Sequence, residues 1–109
     1  FSLADGAATL LGFTVECIRE SLTHLQPFPE LWLVCGGGRR NQYMMEKLQE
    51  ALVPAKVLPV EFAQWDGDML EAEGMAFLAS RSLKALPITF PSTTACNRPV
   101  TGGNIHYYE

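Results

Sequence analysis

Leu31-Trp32-Leu33-Val34-Cys35 is an unbroken apolar run that stops on three consecutive glycines, Gly36-Gly37-Gly38. A strand with one wet face alternates apolar and polar residues, whereas one apolar at every position is covered on both faces. Central parallel strands have that property, and parallel neighbours need a helical crossover between them. The run therefore commits the chain to an α/β arrangement, and its flanks are read for the crossover.

Upstream, Leu11, Val15, Ile18, Leu22 and Leu25 recur at three- and four-residue steps and extend a weaker stripe from Leu3 and Ala7. Asp5, Thr9, Glu16, Glu20 and Thr23 take the other side, so the spacing predicts a helix over 3–25. Ser2, with Asp5 three residues on, caps it, and Pro27 and Pro29 stop it. Downstream, 41–52 reads as a second helix with Met44, Leu48 and Leu52 inward, closed by Pro54. A second strand falls within 55–61 through Val57, Leu58 and Val60; Pro59 cannot donate to a ladder, so this strand lies at an edge or ends there. Strand, helix and strand with short links make a right-handed parallel βαβ unit.

A third helix is expected over 68–85. Its middle, Gly74-Met75-Ala76-Phe77-Leu78-Ala79, is apolar nearly all round and should be buried on most sides. Residues 87–109 contain Pro87, Pro91, Pro99 and Gly102-Gly103 and read as loop, with one short strand near 105–108. The chain is thus expected to be a single domain, 1–109, of α-β-α-β-α order, with an α/β core over 1–86 and a tail over 87–109. Two parallel strands alone leave many unpaired backbone groups, so further strands are expected from upstream sequence or a second copy. A mean hydropathy of +0.07 also suggests more buried surface than 109 residues can cover alone. The opening Phe1-Ser2-Leu3 lacks an initiator methionine and already sits in an amphipathic pattern, so the chain reads as a piece of something longer.

Composition removes several function classes. Net charge is −4 with Lys and Arg scattered, which gives no footprint for nucleic acid. No apolar run nears the ~18 residues of a spanning helix, and no signal peptide is visible, so a cytoplasmic protein away from membranes is expected. Cys17, Cys35 and Cys96 are widely spaced without C-x-x-C or Cys/His pairing. They read as buried reduced thiols rather than zinc ligands, and no metal is assigned to this chain's residues.

Two segments could carry chemistry. In the first, Gly36, Gly37, Gly38, Arg39, Arg40 and Asn41 join the first strand to the second helix, where ligands of parallel α/β folds collect. Glycines let a ligand approach the backbone, and a helix start offers N–H groups and positive potential; a nucleotide is the natural occupant. The segment is neither a Walker A loop nor G-x-G-x-x-G. Equally, it is a tight strand-to-helix turn with Asn41 as N-cap. Arg39-Arg40 is expected to meet a bound phosphate or an acidic neighbour. In the second segment, Trp65-Asp66-Gly67-Asp68-Met69-Leu70-Glu71, the Asp68/Glu71 spacing fits a capping box; otherwise one carboxylate accepts from a substrate hydroxyl or from ligand-contacting backbone. Elsewhere Met44, Met45, Met69 and Met75 read as core filling, Trp32 and Trp65 as structural anchors, Ser92-Thr93-Thr94 as a solvated loop, and His24 and His106 as isolated.

As an ordered set, Gly36-Gly37-Gly38-Arg39-Arg40-Asn41, Trp65-Asp66-Gly67-Asp68, Glu71-Ala72, Phe77-Leu78-Ala79, Leu86-Pro87, Phe90 to Thr94 and Thr101-Gly102-Gly103 resemble anhydro-N-acetylmuramic acid kinases. The likeness covers about 3–107. It implies part of an actin/Hsp70/sugar-kinase-like, ribonuclease H-like lobe beside a nucleotide cleft. It further implies an enzyme that uses ATP and Mg2+ to open a 1,6-anhydro sugar hydrolytically and phosphorylate O6, in cell-wall recycling. On this likeness Gly36, Gly37 and Gly38 lie against the nucleotide and Asn41 opens the adjoining helix; with Arg39 beside them, these are the candidate nucleotide-binding residues. Asp68 and Glu71 are weaker candidates near substrate. The catalytic aspartate and phosphate loops are implied to lie in earlier sequence, so no catalytic residue is assigned and the piece alone is expected to be inactive. Two residues depart from the family pattern: Ala95 where glycine usually follows the threonine pair, and Gly74 where alanine is usual. Two other readings compete. One is a non-catalytic assembly domain that self-associates through its sheet edge or apolar helix face; the other is a small Rossmann-like domain for another phosphorylated ligand.

Overall fold

Ser2 opens the first helix in the computed structural model, which describes residues 2–107. Its hydroxyl accepts from the Asp5 amide at 3.1 Å, and the Asp5 carboxylate accepts from the Ser2 amide at 2.7 Å. These bonds complete the expected box and hold the Asp5 carboxyl below its usual range. Helix α1 runs Leu3–Glu20 and tightens into a 3-10 turn, Ser21–His24. Hydroxyls explain the change: Ser21 donates to the Ile18 carbonyl and Thr23 to that of Glu20, competing for the last carbonyls of the helix.

Strand β1, Leu31–Val34, pairs in parallel with β2, Lys56–Pro59, in the register Leu31↔Lys56 to Val34↔Pro59. Helix α2, Gln42–Ala51, makes the crossover. Pro59 is the last paired residue, where its missing N–H is tolerated. Gln49 of α2 bolts the helix to the sheet: its amide donates to the Ala55 carbonyl and accepts from the Val57 amide, both at 2.9 Å.

The core lies between α1, α2 and one face of this sheet. Val15, Leu48, Leu52, Ala55 and Val57 are buried, with Leu11, Ile18, Leu22, Trp32, Val34, Met44, Met45 and Ala51 packed around them. Successive strand residues point to opposite faces, so Leu31, Leu33 and Leu58 fall on the other side. There Leu33 and Leu58 are half-buried and Leu31 is exposed. The double coverage expected for the apolar run is therefore met on one face among the described residues.

Contacts divide the chain into two compact units that part between Leu70 and Glu71. The second contains α3, Leu70–Leu83 apart from its first residue, and the one-turn α4, Pro91–Thr94. Within it, Arg81 Nε donates to the Pro87 carbonyl at 2.5 Å, Ser82 donates to the Gly102 carbonyl, and Thr89 bridges Val100 antiparallel.

Several expectations need correction. Helix α3 has no buried residue, and Met75, Phe77 and Leu83 are 60% or more exposed, because no apolar surface among the described residues covers them. Cys17 and Cys35 are exposed and Cys96 is half-buried; all three are free thiols, so the buried placement fails. Only Met44 and Met45 fill the core, while Met69 and Met75 are exposed. Residues 105–107 form no strand, and Tyr108 lies outside the described residues. Ser92-Thr93-Thr94 is helical, started by Pro91 and closed by Ala95 at φ 56°.

Candidate functional site

β1 stops because the chain reverses at Gly36, whose φ of 68° and ψ of −170° lie in a region open essentially to glycine alone. Gly37–Arg40 forms a 3-10 turn, and Asn41 then caps α2, its side-chain oxygen accepting from the Met44 amide at 3.0 Å. The N-cap expected at Asn41 is thus formed. A Cβ built at Gly36 or Gly37 meets nothing within 4 Å, whereas one at Gly38 meets the Met44 sulfur at 3.3 Å. The first two glycines leave bare backbone facing open space, and the third packs inward.

Not every amide here faces outward. Gly36 donates to the Gly67 carbonyl at 3.1 Å, and Asn41 to that of Gly38 at 3.0 Å. The loop offers a flat, side-chain-free approach more than a ring of donors.

Asp66 organises the second segment. Its carboxylate accepts from the amides of Asp68 and Met69, and its carbonyl from those of Met69 and Leu70. This corrects the expected Asp68/Glu71 box: Asp66 takes the capping part, and the Asp68 carboxylate turns to arginines instead. Glu71 is exposed in the first turn of α3, where a negative charge suits the helix dipole.

The two segments meet. The Arg39 side chain is 6% exposed, and each of its three guanidinium nitrogens has a partner. Nε donates to Glu61 and Nη1 to the Gly36 carbonyl, each at 2.7 Å, and Nη2 lies 3.0 Å from Asp68. Arg40 bonds the other Asp68 oxygen. Arg39-Arg40 thus finds the acidic neighbours allowed for above. Glu61, and secondarily Asp68, hold the Arg39 guanidinium protonated still more firmly. The Glu61 carboxyl is held below its usual range by its own amide and then by Arg39. Gly67 is buried because a Cβ there would sit 2.6 Å from the guanidinium carbon and 2.8 Å from the Glu61 carboxylate. Glu61 was not singled out from sequence, and Gly67 only as part of its motif; a contact 22 residues away leaves no periodic trace.

A groove of about 1080 Å³ lies elsewhere. Phe28, Leu31, Leu52, Val53, Leu58 and Phe62 line it beside the first residues of the strands, whereas the glycine loop follows the last. Its wall is mostly apolar, with Arg19, Glu20, Glu30 and Lys56 also lining it.

Magnesium does not fit these residues. Glu61 and Asp68 are committed to arginines, and no group of three or more His, Cys, Asp or Glu converges among the described residues. No helix among them is long and apolar enough to cross a membrane.

A family model described as anhydro-N-acetylmuramic acid kinase matches residues 2–108. Proteins named anhydro-N-acetylmuramic acid kinase are similar to this chain. One from Rhodospirillum rubrum is 52% identical over 99 residues, covering 91% of this chain and 26% of that protein. One from Brucella canis is 47% identical, covering 94% and 28%, and one from Zymomonas mobilis 46% identical, covering 97% and 29%. The chain spans little more than a quarter of the length of the curated relatives it matches.

Proposed function

Because the chain belongs to the anhydro-N-acetylmuramic acid kinase family, we propose that it is the C-terminal, nucleotide-facing part of an ATP-dependent sugar kinase. The whole enzyme opens the 1,6-anhydro ring of anhydro-N-acetylmuramic acid with water and phosphorylates O6, giving N-acetylmuramic acid 6-phosphate for cell-wall recycling in the cytoplasm. The α-β-α-β-α order belongs, on this reading, to one lobe of an actin-like fold. Exposed Leu10 and Phe13 on α1, and Met75 and Phe77 on α3, are what a quarter-length section would turn toward the rest of its protein.

One observation carries the reading: Gly36 and Gly37, at the carboxyl end of a parallel strand, expose backbone with no side chain in front of it. Gly36, Gly37 and Gly38 form one wall for the adenosine, and Asn41 fixes the helix behind them. Asp68 acts by holding the loop. ATP supplies the transferred phosphoryl group; magnesium and the base that activates water belong to sequence outside this chain. The chain alone is therefore inactive.

Gly37→Leu tests the site. Space for the new side chain exists, so the variant should melt as the parent does, yet its side chain stands where the nucleotide would lie. Equilibrium dialysis with millimolar ADP should show binding by the parent and none by Gly37→Leu. A parent that retains no ADP, or a variant that retains as much, would defeat the proposal.

A further inference from the structure

We propose that Arg39 is a positioning residue for the nucleotide loop, seated by Gly67, rather than a ligand of the nucleotide itself; this rests on the reading of the glycine loop given above. Its guanidinium is almost wholly buried and has no nitrogen left over, since Glu61, the Gly36 carbonyl and Asp68 each take one. Each terminal nitrogen keeps a second N–H, but with the side chain 6% exposed a phosphate could reach it only by displacing the residues that cover it. The contact with the Gly36 carbonyl fixes the peptide that follows the one positive-φ residue of the loop. Gly36 N–H to Gly67 O fixes the peptide before it. The loop is gripped on both sides of its sharpest turn, and the grip comes from residues 61 to 68.

Arg40 does not share this task equally. It bonds the same Asp68 carboxylate, but its side chain is 68% exposed, and an exposed pair is screened by salt and competes with water. A planar fork whose three separate nitrogens each face a different acceptor is beyond lysine, whose donors share one nitrogen, so the geometry is specific to arginine at position 39. Gly67 is the matching half: any Cβ there displaces the fork without removing a polar group.

The test uses the 109-residue chain and ADP as the probe. Arg39→Lys keeps the charge and removes the fork; Gly67→Ala keeps every hydrogen-bonding group and moves the fork. Each should weaken ADP binding about tenfold, close to the worth of one charge-assisted hydrogen bond. Amide signals of Gly36 to Asn41 should shift even without ADP, while those of Leu48 and Val57 stay in place and report an intact core. Gly74→Ala, on α3 and outside the loop and its clamp, should bind ADP within twofold of the parent. If Gly67→Ala fails to fold, Arg39→Lys alone decides. Parental ADP affinity in Arg39→Lys, measured well below its melting temperature, overturns the proposal and leaves the nucleotide reading standing. Failure of the parent chain to bind ADP removes the nucleotide reading, and this proposal with it.

Discussion

Residues 31–68 and residues 71–107 are built on opposite principles. In the first stretch a parallel strand pair, α2 and a four-part ionic and backbone clamp specify one arrangement, and every buried apolar residue beyond it lies on α1. In the second, a fourteen-residue helix with an apolar middle has no fully buried residue, and hydrogen bonds rather than an apolar core tie the unit together. Hydrophobic content therefore does not locate the core; apolar residues become core only where a second apolar surface meets them. The better-packed stretch is also the one that leaves bare backbone at its rim.

The comparison can be broken by truncation. Leu48→Ala, at a residue 2% exposed, should destabilise by about 2–5 kcal/mol, whereas Phe77→Ala on α3, 60% exposed, should change stability by less than about 0.5 kcal/mol. Urea unfolding of both variants checks this, and similar midpoints would erase the distinction. Next in size, Gly36→Ala should destabilise by about 1–3 kcal/mol although its Cβ would touch nothing, because the penalty is conformational. An unchanged urea midpoint would mean the turn is not held at that φ.

Substitutions in the second region should act in the opposite direction. Gly74→Ala adds a methyl group in open space on α3 and should stabilise that helix by about 1 kcal/mol. Ala95→Gly relieves a left-handed residue closing α4 and should gain about 1 kcal/mol. Slower amide exchange along α3 and near Pro91–Thr94, respectively, would register the gains.

Smallest is the acid response of the clamp. The folded-state pKa of Glu61 lies below the ordinary glutamate value of 4.5, so the folded chain binds fewer protons there than the unfolded chain does. Its contribution is present above about pH 4.5 and is lost as pH falls through the depressed value. Glu61→Gln should therefore flatten the acid limb of the stability–pH curve. An acid limb as steep as the parent's would locate the dependence elsewhere, with Asp5 the next carboxyl to examine.

Much of the first region was legible because its signals are local and periodic. Apolar spacing marked α1 and α2, five consecutive apolar residues marked β1, the Ser2/Asp5 pair marked a cap, and Pro59 marked a strand end. The glycine loop was visible as a candidate because three glycines stand between strand and helix, a pattern that a tight turn shares. The clamp was not legible, since Arg39, Glu61, Gly67 and Asp68 are joined by tertiary geometry rather than by spacing. Asp66 and Asp68 both suit a cap, and only the structure shows that Asp66 takes the amides while Asp68 takes the guanidinium groups. The burial expected of α3 and of the cysteines failed for one physical reason: both inferences assumed a covering surface that residues 2–107 do not supply. The departure at Ala95 gained an explanation, since its left-handed backbone is one that glycine adopts without strain.

Mapping ADP onto the backbone amides of this chain by NMR tests the central claim most directly. The account predicts the largest shifts at Gly36, Gly37, Gly38 and Asn41, with a smaller response at Gly67 through its bond to Gly36. Shifts confined to Leu31, Leu52 and Phe62 around the apolar groove, with the glycine amides unmoved, would contradict it.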